Sequence, residues 1–367
     1  MKVIAKVRLR EIDFLRGIAI ILVLLHHQKL FQFTTTMGWI GVDLFFVISG
    51  FLVSGLLFKE YIKFGNINPR LFLIRRGFKI YPIYYLSYLL YLILIITEHR
   101  FNLKGFLADM FFVQNYVRGW GYAYAASWSL AIEEHFYFLF SIFIWLGIRK
   151  KWFVLNEGLT SSKITNFEIA ILSIMLLCLI LRISQNLLFS YNVIKNATMS
   201  HLRMDSLFSG VLVSYLYYFR NSFLINFFSK NSLVLLVLSV LLLSFTPFVS
   251  PQDSMFLRNY GFVFLYIAFG ILLIFFLVET KINSILNKYF GTKIVDIICK
   301  IGFSSYSIYI IHSLVNMLFN RLDVAMFFPF PFLITTTLSV IFGIVMTECV
   351  ENYFLKIRDK HFPSRIS

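Results

Sequence analysis

Arg16 and His27 lie in the first long apolar run of the chain, with ten residues between them. Ionisable side chains at membrane depth are costly and usually have a function. A helix turns about 100° per residue, so over this spacing it returns to within about 20° of its starting direction. Asp13 falls near the same face because it precedes Arg16 by three residues. This polar stripe predicts a reaction site buried among helices.

Further polar residues occur within or at the start of other apolar runs. They are Asp43, Glu133, Glu134, Arg203, Asp205, Tyr306 and His312. If successive spans alternate in direction, we expect these side chains to form one polar layer in the half of the membrane that holds His27. Only one of the two adjacent glutamates can face a site squarely, because neighbours on a helix differ by about 100°. The alternatives are a structural ion pair between this acidic pair and Arg182 or Arg203, and hydrogen-bonded core histidines.

A group of basic residues lies immediately before the third predicted span. Arg75 and Arg76 are adjacent, and Lys79 follows one turn later. Paired arginines suit phosphate recognition, because the planar guanidinium can bond two oxygens at once. The alternative is that these charges mark only the cytoplasmic side of the membrane.

The chain of 367 residues is 59% hydrophobic and only 14% charged, whereas a soluble domain carries roughly 25% charged residues. Its recurring apolar runs predict an all-α, polytopic membrane protein of about ten transmembrane helices, each near the ~20 residues that a bilayer requires. The predicted spans are residues 14–33, 38–58, 80–97, 128–148, 167–189, 203–219, 233–250, 259–279, 301–320 and 327–349. We expect one membrane-embedded domain over residues 1–350 and a short basic cytoplasmic tail over residues 351–367. The first run is expected to be retained, because no small-residue cleavage site follows it.

Lysine and arginine cluster on one set of connections, which includes both chain ends and residues 59–79, 149–163 and 281–300. Cytoplasmic connections carry an excess of these residues, so both termini are predicted to be cytoplasmic. The net charge of +16 then reflects topology rather than nucleic-acid binding. The longest outer connection, residues 98–127, is rich in aromatic residues and is expected to lie at the membrane interface. The three cysteines show neither a metal-ligand spacing nor a pairing framework.

Six short motifs occur in order along the chain, each at a consistent membrane position. They are Asp13-Phe-Leu-Arg-Gly-Ile-Ala19 with His27, Gly41-Val-Asp-Leu-Phe-Phe-Val-Ile-Ser-Gly-Phe51, Arg75-Arg76 with Tyr81-Pro82, Trp128-Ser-Leu with Glu133-Glu134 and Phe136-Tyr137, Arg203 with Asp205 and Gly210, and Tyr306-Ser-Ile-Tyr309 with His312. In this combination the chain resembles the acyltransferase-3 family of integral membrane acyltransferases, which O-acylate surface carbohydrates. Two positions depart from the family pattern: Lys79 replaces a frequent third arginine, and His135 replaces a frequent glutamine.

The resemblance implies transfer of an acyl group, most often acetyl, from cytoplasmic acyl-CoA to a hydroxyl of an extracytoplasmic or lipid-linked carbohydrate. Acyl-CoA would be a co-substrate, with no tightly bound cofactor and no metal. His27 is then the candidate base or, in a covalent route, the nucleophile. Glu133 would orient that imidazole or the acceptor, and Arg16 would steer the donor or stabilise the oxyanion. The candidate donor-binding residues are Arg75, Arg76 and Lys79. The candidate acceptor-side or supporting residues are Asp13, Asp43, Glu134, Arg203, Asp205, Tyr306 and His312.

The resemblance also implies a multi-pass protein of a bacterial cytoplasmic (inner) membrane. Its partners would be the lipid bilayer, acyl-CoA and a carbohydrate: O-antigen of lipopolysaccharide, capsule, exopolysaccharide, peptidoglycan or a small glycoside. Some family members carry a fused extracytoplasmic esterase-like domain. If such chemistry is needed here, a separate extracytoplasmic partner protein would have to supply it. The alternative function is a transporter or flippase of a lipid-linked sugar or small anion, where intramembrane His, Arg and Glu are equally typical. The two halves of the sequence show no convincing repeat, which disfavours a transporter.

Overall fold

The computed structural model of the chain describes residues 9–28, 32–159, 163–189, 192–249, 254–321 and 331–366. Its elements over these ranges are helices, with no strand among them, which confirms the all-α prediction. Three of the predicted spans, 14–33, 233–250 and 327–349, extend in part over residues outside the described ranges.

The helices follow one another in chain order with short connections. They are α1 (Arg10–Gln28), α2 (Gln32–Met37), α3 (Ile40–Phe64), α4 (Pro69–Thr97), α5 (Leu103–Met110), α6 (Gln114–Val117), α7 (Trp128–Arg149), α8 (Asn166–Leu188), α9 (Val193–Thr198), α10 (Ser200–Phe219), α11 (Asn221–Leu243), α12 (Met255–Val278), α13 (Ile282–Phe290), α14 (Thr292–Phe303), α15 (Ser305–Arg321), α16 (Pro331–Met346) and α17 (Asn352–His361). A π-helical turn (Thr347–Glu351) joins α16 to α17.

Seven helical segments of the described residues are long and apolar enough to cross a membrane. They are Gln32–Phe64, Pro69–Thr97, Ala125–Arg149, Asn166–Leu188, Asn221–Leu243, Met255–Val278 and Pro331–His361. Helices α14 and α15 meet at a 78° bend and add an eighth span if the pair crosses together. The chain is therefore a polytopic helical membrane protein. The count of about ten spans and the cytoplasmic termini stay predictions.

Two of the predicted spans, α1 and α10, are helical but are not among these seven segments. Helix α10 is buried along most of its length and packs on α3, α8 and α12. Its backbone closely approaches α3, because a Cβ on Gly50 would collide with the carbonyl oxygen of Leu207, and one on Gly210 with that of Val47. Small residues at such contacts let membrane helices approach closely. Neighbouring helices, rather than lipid, therefore surround α10, which can carry buried charges.

Helix α4 begins well before the predicted span 80–97. It starts at Pro69, and the first position of a helix suits proline, because that N–H would be unpaired anyway. The extension carries three of the predicted donor-binding residues, Arg75, Arg76 and Lys79. They project from one rigid helix rather than from a loop.

The connection over residues 98–127 is folded and contains α5 and α6. The fully buried carboxylate of Asp109 accepts hydrogen bonds from the backbone N–H groups of Tyr122 at 3.0 Å and Ala123 at 2.9 Å. Burial raises the pKa of Asp109 to about 6. Phe111 remains 73% exposed. The connection is thus held in place while it presents aromatic side chains outward.

Residues 352–366, here called the C-terminal segment, lie against the end of α3 and the start of α4, here called the basic face. Arg365 reaches Glu60 at 2.5 Å and Asn66 at 3.1 Å. The ring of Phe362 lies 5.6 Å from that of Phe78. The predicted tail over residues 351–367 therefore makes specific contacts with the membrane helices.

Candidate active site

A partly open cavity of about 300 Å³, here called the charged cavity, lies between α1, α3, α4, α7 and α15. Four charged side chains line it: Arg16, Arg76, Lys79 and Glu133. Its polar lining also includes Ser49, Ser129, Ser305, Tyr306 and Tyr309. The remaining wall is mostly apolar and comes largely from α3. Three cations and one carboxylate therefore share a single cavity inside the bundle.

Tyr137 connects the carboxylate of the cavity to one of its arginines. Its hydroxyl donates to Oε2 of Glu133, one helical turn earlier, and accepts from Nη2 of Arg76 at 2.7 Å. Ser49 Oγ lies 2.8 Å from the same hydroxyl, and the guanidinium of Arg76 lies 4.4 Å from the ring centroid. Tyr137 thus fixes both charged groups. Sequence reasoning did not assign it a role, although its spacing of four residues from Glu133 on α7 was a usable signal.

The other two cations of the cavity are held by different helices. Arg16 Nη2 donates to Ser305 Oγ at 2.9 Å. Lys79 Nζ lies 2.6 Å from Oε1 of Glu351, whose side chain is only 2% exposed. Glu351 belongs to the π-helical turn before α17, and such turns are frequent at functional sites. Sequence reasoning missed this residue because it lies just beyond the predicted span 327–349.

The predicted base, His27, is in the last turn of α1 and is exposed. It does not line the charged cavity. Its ring instead lies 5.0 Å from that of His312, which in turn lies 5.6 Å from the ring of Tyr309. Tyr309 lines the cavity, so Tyr309 and His312 connect the cavity to His27. The structure therefore brings His27 to His312 rather than to Arg16, because the shared face of α1 separates them by about 16 Å along the helix axis.

His312 is fully buried, and its hydrogen bonds define its tautomer. Its Nδ1 lies 2.6 Å from the carbonyl oxygen of Tyr309, which can only accept, so Nδ1 carries the proton. In the neutral ring, Nε2 then accepts from the hydroxyl of Ser313 at 3.2 Å. The ring is therefore fixed beside His27.

Three of the predicted acceptor-side residues lie elsewhere, in a set of buried ion pairs here called the closed cluster. Arg203 pairs with Asp43 at 2.6 Å, and Arg182 pairs with Asp205 at 2.8 Å. All four side chains are at most 2% exposed. None of them lines the charged cavity. The predicted alternative of an ion pair between the adjacent glutamates and one of these arginines is wrong, because both arginines have aspartate partners.

Further hydrogen bonds complete the closed cluster. Arg182 donates from Nη1 to the carbonyl oxygen of Leu202 at 2.7 Å and from Nε to that of Asn259 at 3.0 Å. The guanidinium of Arg203 lies 3.7 Å from the ring centroid of Phe262. Charge pairing and ring contacts pack this cluster closely, while Asp43 Oδ2 and Arg203 Nε are buried without a hydrogen-bond partner among the described residues.

The adjacent residues Arg75 and Arg76 face different surroundings. Arg76 lines the charged cavity, whereas Arg75 pairs with Asp359 at 2.9 Å and donates to the carbonyl oxygen of Phe362. The C-terminal segment therefore already contacts one of the predicted phosphate-binding groups.

The remaining predicted residues lie around the charged cavity. Tyr306 lines it and donates to the carbonyl oxygen of Ile80 at 2.8 Å. Asp13 is buried one turn before Arg16 on α1. Glu134 does not line this cavity, and its Oε2 accepts from Tyr81 at 2.9 Å. This confirms the expectation that only one of the two adjacent glutamates faces a given site.

Several curated bacterial proteins are similar to part of this chain. The peptidoglycan O-acetyltransferase OatA of Listeria monocytogenes is 32% identical over 149 residues, which cover 36% of this chain and 24% of that protein. A putative O-acetyltransferase of Staphylococcus aureus is 33% identical over 147 residues, which cover 36% of this chain and 24% of that protein. The putative peptidoglycan O-acetyltransferase YrhL of Bacillus subtilis is 30% identical over 152 residues, which cover 37% and 24%. The matched part thus spans about a quarter of each relative.

No solved structure matches this chain. The family model Acyl_transf_3, described as an acyltransferase domain, matches residues 9–348. The match begins before Arg16 and ends just before Glu351, so it covers the helices that line the charged cavity. This multi-pass membrane protein therefore belongs to the acyltransferase-3 family.

Proposed function

We propose that this chain transfers an acyl group, acetyl in the first instance, from cytoplasmic acyl-CoA to a carbohydrate hydroxyl on the opposite side of a bacterial cytoplasmic membrane. Family membership supports acyl transfer. The relatives named for peptidoglycan O-acetylation favour peptidoglycan as the first acceptor to test, ahead of O-antigen. Because the match covers 24% of those relatives, substrate and partners are proposed rather than transferred from them.

The charged cavity is the observation that supports this function most directly. Its volume of about 300 Å³ is at the lower end of the range of about 300–1,000 Å³ for small-molecule sites. It can therefore hold part of the thiol arm of an acyl-CoA, with the nucleotide outside on one side and the thioester beyond the cavity on the other. We expect Arg75 on the basic face to contact the donor phosphates. Arg16 and Arg76 would steer the donor by binding carbonyl oxygens of its thiol arm.

His27 is the proposed general base. It would take the proton of the sugar hydroxyl while the hydroxyl oxygen forms a bond to the acyl carbon and the carbon–sulfur bond breaks. The proton then passes to the departing CoA thiolate. In the covalent alternative, His27 itself carries the acyl group between two such steps. Tyr309 and His312 lie between the cavity and His27, so the thioester must reach past them. In this arrangement Glu133 acts within the cavity, where Tyr137 links it to Arg76.

The first test uses purified protein in lipid nanodiscs with acetyl-CoA and a peptidoglycan fragment. Wild type should release CoA and add an acetyl mass to the fragment. His27→Ala should remain folded and lose transfer, and Arg76→Ala should raise the KM for acetyl-CoA more than that for the fragment. Folded wild type that consumes no acyl-CoA with peptidoglycan, O-antigen or capsule acceptors would contradict the proposal and favour transport.

A further inference from the structure

We propose that a second cavity, on the other side of α7, binds a sugar unit of a lipid-linked acceptor, with Glu134 as its positioning residue. This inference rests on the proposed function and names the acceptor subsite. The cavity, here called the lateral groove, has a volume of about 520 Å³ and lies between α4, α7, α10 and the connection over residues 98–127. Its polar lining consists of Tyr81, Tyr116, Glu134, His135, Ser200 and His201.

Glu134 has a vacant hydrogen-bonding position. Its Oε2 accepts from Tyr81, but its Oε1 is buried without a hydrogen-bond partner among the described residues. Leaving a buried carboxylate oxygen unpaired is unfavourable. The terminal torsion of a glutamate is soft, so a rotation of the carboxylate can present this oxygen to the groove. A sugar hydroxyl is a donor that would satisfy it.

The histidines of the groove are held in fixed positions. His135 Nδ1 lies 2.7 Å from Ser200 Oγ, and His201 Nδ1 lies 3.1 Å from the hydroxyl of Tyr116. With Nδ1 engaged, each neutral ring leaves Nε2 either to donate to a sugar hydroxyl or to accept from one, according to its tautomer. Because these side chains are already oriented, binding a sugar would immobilise little additional protein.

Aromatic rings supply the other surface that a sugar requires. The ring of Tyr116 is nearly parallel to that of His201, with centroids 5.8 Å apart and an interplanar angle of 14°. The C–H groups on one face of a pyranose ring pack on the electron-rich face of such rings. At the edge of the groove, Phe111 is 73% exposed, and Phe138 and Leu139 are each 55% exposed. This exposed apolar edge fits the chain of a carrier lipid in the bilayer.

The same lining argues against binding of the donor in the groove. Among the described residues, none that lines it is lysine or arginine, whereas three cations line the charged cavity. The phosphates of acyl-CoA need such cations. Glu133 and Glu134 are adjacent on α7 and face one cavity each. Helix α7 thus separates a donor site from an acceptor subsite.

The test uses an octyl glycoside of di-N-acetylchitobiose with a diazirine in the octyl chain, added to the full-length protein in nanodiscs. A sugarless octyl diazirine is the matched probe. On illumination, the sugar probe should label Phe111, Phe138 or Leu139, and mass spectrometry locates the adducts. Glu134→Leu should reduce this labelling about tenfold, the size expected for one charge-assisted hydrogen bond. Labelling by the sugarless probe should not change.

Tyr116→Ala is the second variant, and it tests the groove without removing the buried carboxylate. Glu348→Gln is the control, because that carboxylate is exposed and pairs with Lys300 outside both cavities. Equal labelling of the groove by both probes, or full labelling of both Glu134→Leu and Tyr116→Ala, would overturn the inference. Since no acyl-CoA is present, the result is independent of the transfer assay. A protein that consumes acyl-CoA but leaves the groove unlabelled would retain the proposed function and lose this inference.

Discussion

The closed cluster and the charged cavity both contain opposite charges inside the helix bundle, but they differ in how the charges are paired and in the open space beside them. In the closed cluster each arginine has its own aspartate, at 2.6 Å for Arg203 and 2.8 Å for Arg182. In the charged cavity three cations share one lining carboxylate around a volume of about 300 Å³. Glu351 pairs with Lys79, and Asp13 is buried one turn before Arg16, so the two regions differ in open volume rather than in net charge.

This difference shows that a charged residue within an apolar run does not by itself mark a reaction site. A buried pair that is matched in charge can be structural, because removing either partner leaves an uncompensated charge. Charged groups that line an open space can instead stabilise a ligand or a transition state. We therefore assign stability to the closed cluster and chemistry to the charged cavity.

The largest expected effect on folding follows from breaking the closed cluster. Arg203→Ala leaves Asp43 buried without its cation and should lower the free energy of unfolding by about 3–5 kcal/mol. Thermal unfolding in nanodiscs measures it. The double change Arg203→Met with Asp43→Leu removes both charges and should cost less. Wild-type stability in Arg203→Ala, with loss of transfer alone, would place this pair in the reaction.

Glu133→Gln should lower the rate of transfer rather than the stability of the fold. The side chain keeps its shape and can still accept from Tyr137, so the melting temperature should change little. The rate of transfer should fall about 100-fold, the loss expected when a group that positions the donor through Tyr137 and Arg76 is removed. CoA release at saturating acetyl-CoA measures it, with Glu348→Gln as the control. A protein that fails to fold, rather than one that folds and reacts slowly, would assign Glu133 a structural role.

Lys79 combines features of both regions, because it has a carboxylate partner and also lines the cavity. If it contacts the donor, Lys79→Met should raise the KM for acetyl-CoA about tenfold, as expected for one charged contact. Lys79→Arg should restore most of this loss, since the family often has arginine at this position. Equal KM values for all three proteins would assign Lys79 to its pair with Glu351 alone.

The smallest expected effect concerns Arg75, whose guanidinium is paired with Asp359 on the C-terminal segment. Surface ion pairs are worth about 0.2–1 kcal/mol. Asp359→Asn should therefore lower the KM for acetyl-CoA by about twofold to fivefold, because Arg75 becomes available to the donor phosphates. Arg75→Ala should act in the opposite direction. If neither change alters the KM for acetyl-CoA, the charge of Arg75 contributes only to the orientation of the protein in the membrane.

Much of the helical framework was predictable from hydrophobic runs alone. The predicted spans 167–189 and 128–148 correspond closely to α8 (Asn166–Leu188) and α7 (Trp128–Arg149). Helices α1 and α10 were predicted as spans, but their polar residues leave them outside the seven apolar segments. The 78° bend between α14 and α15 was not predicted, because composition does not reveal where packing redirects a helix.

The candidate site was predictable in its residue types but not in its grouping. Helical spacing correctly placed only one of the adjacent glutamates in the charged cavity. It did not reveal that His27 meets His312, because the partner comes from a distant helix. The pairing of Asp205 with Arg182 is likewise a tertiary contact. Glu351 was missed because its role depends on the contact with Lys79 across 272 positions.

We infer that the closed cluster stabilises the fold while the charged cavity supports the reaction. The most direct test of this division is CoA release from acetyl-CoA. The assay compares equal amounts of folded wild type, Glu133→Gln and the double variant Arg203→Met with Asp43→Leu. We expect wild type to release CoA in the presence of a carbohydrate acceptor. Glu133→Gln should be about 100-fold slower, while the folded fraction of the double variant should stay within a few-fold of wild type. A double variant as inactive as Glu133→Gln, or a Glu133→Gln protein as fast as wild type, would contradict the separation of stability from chemistry.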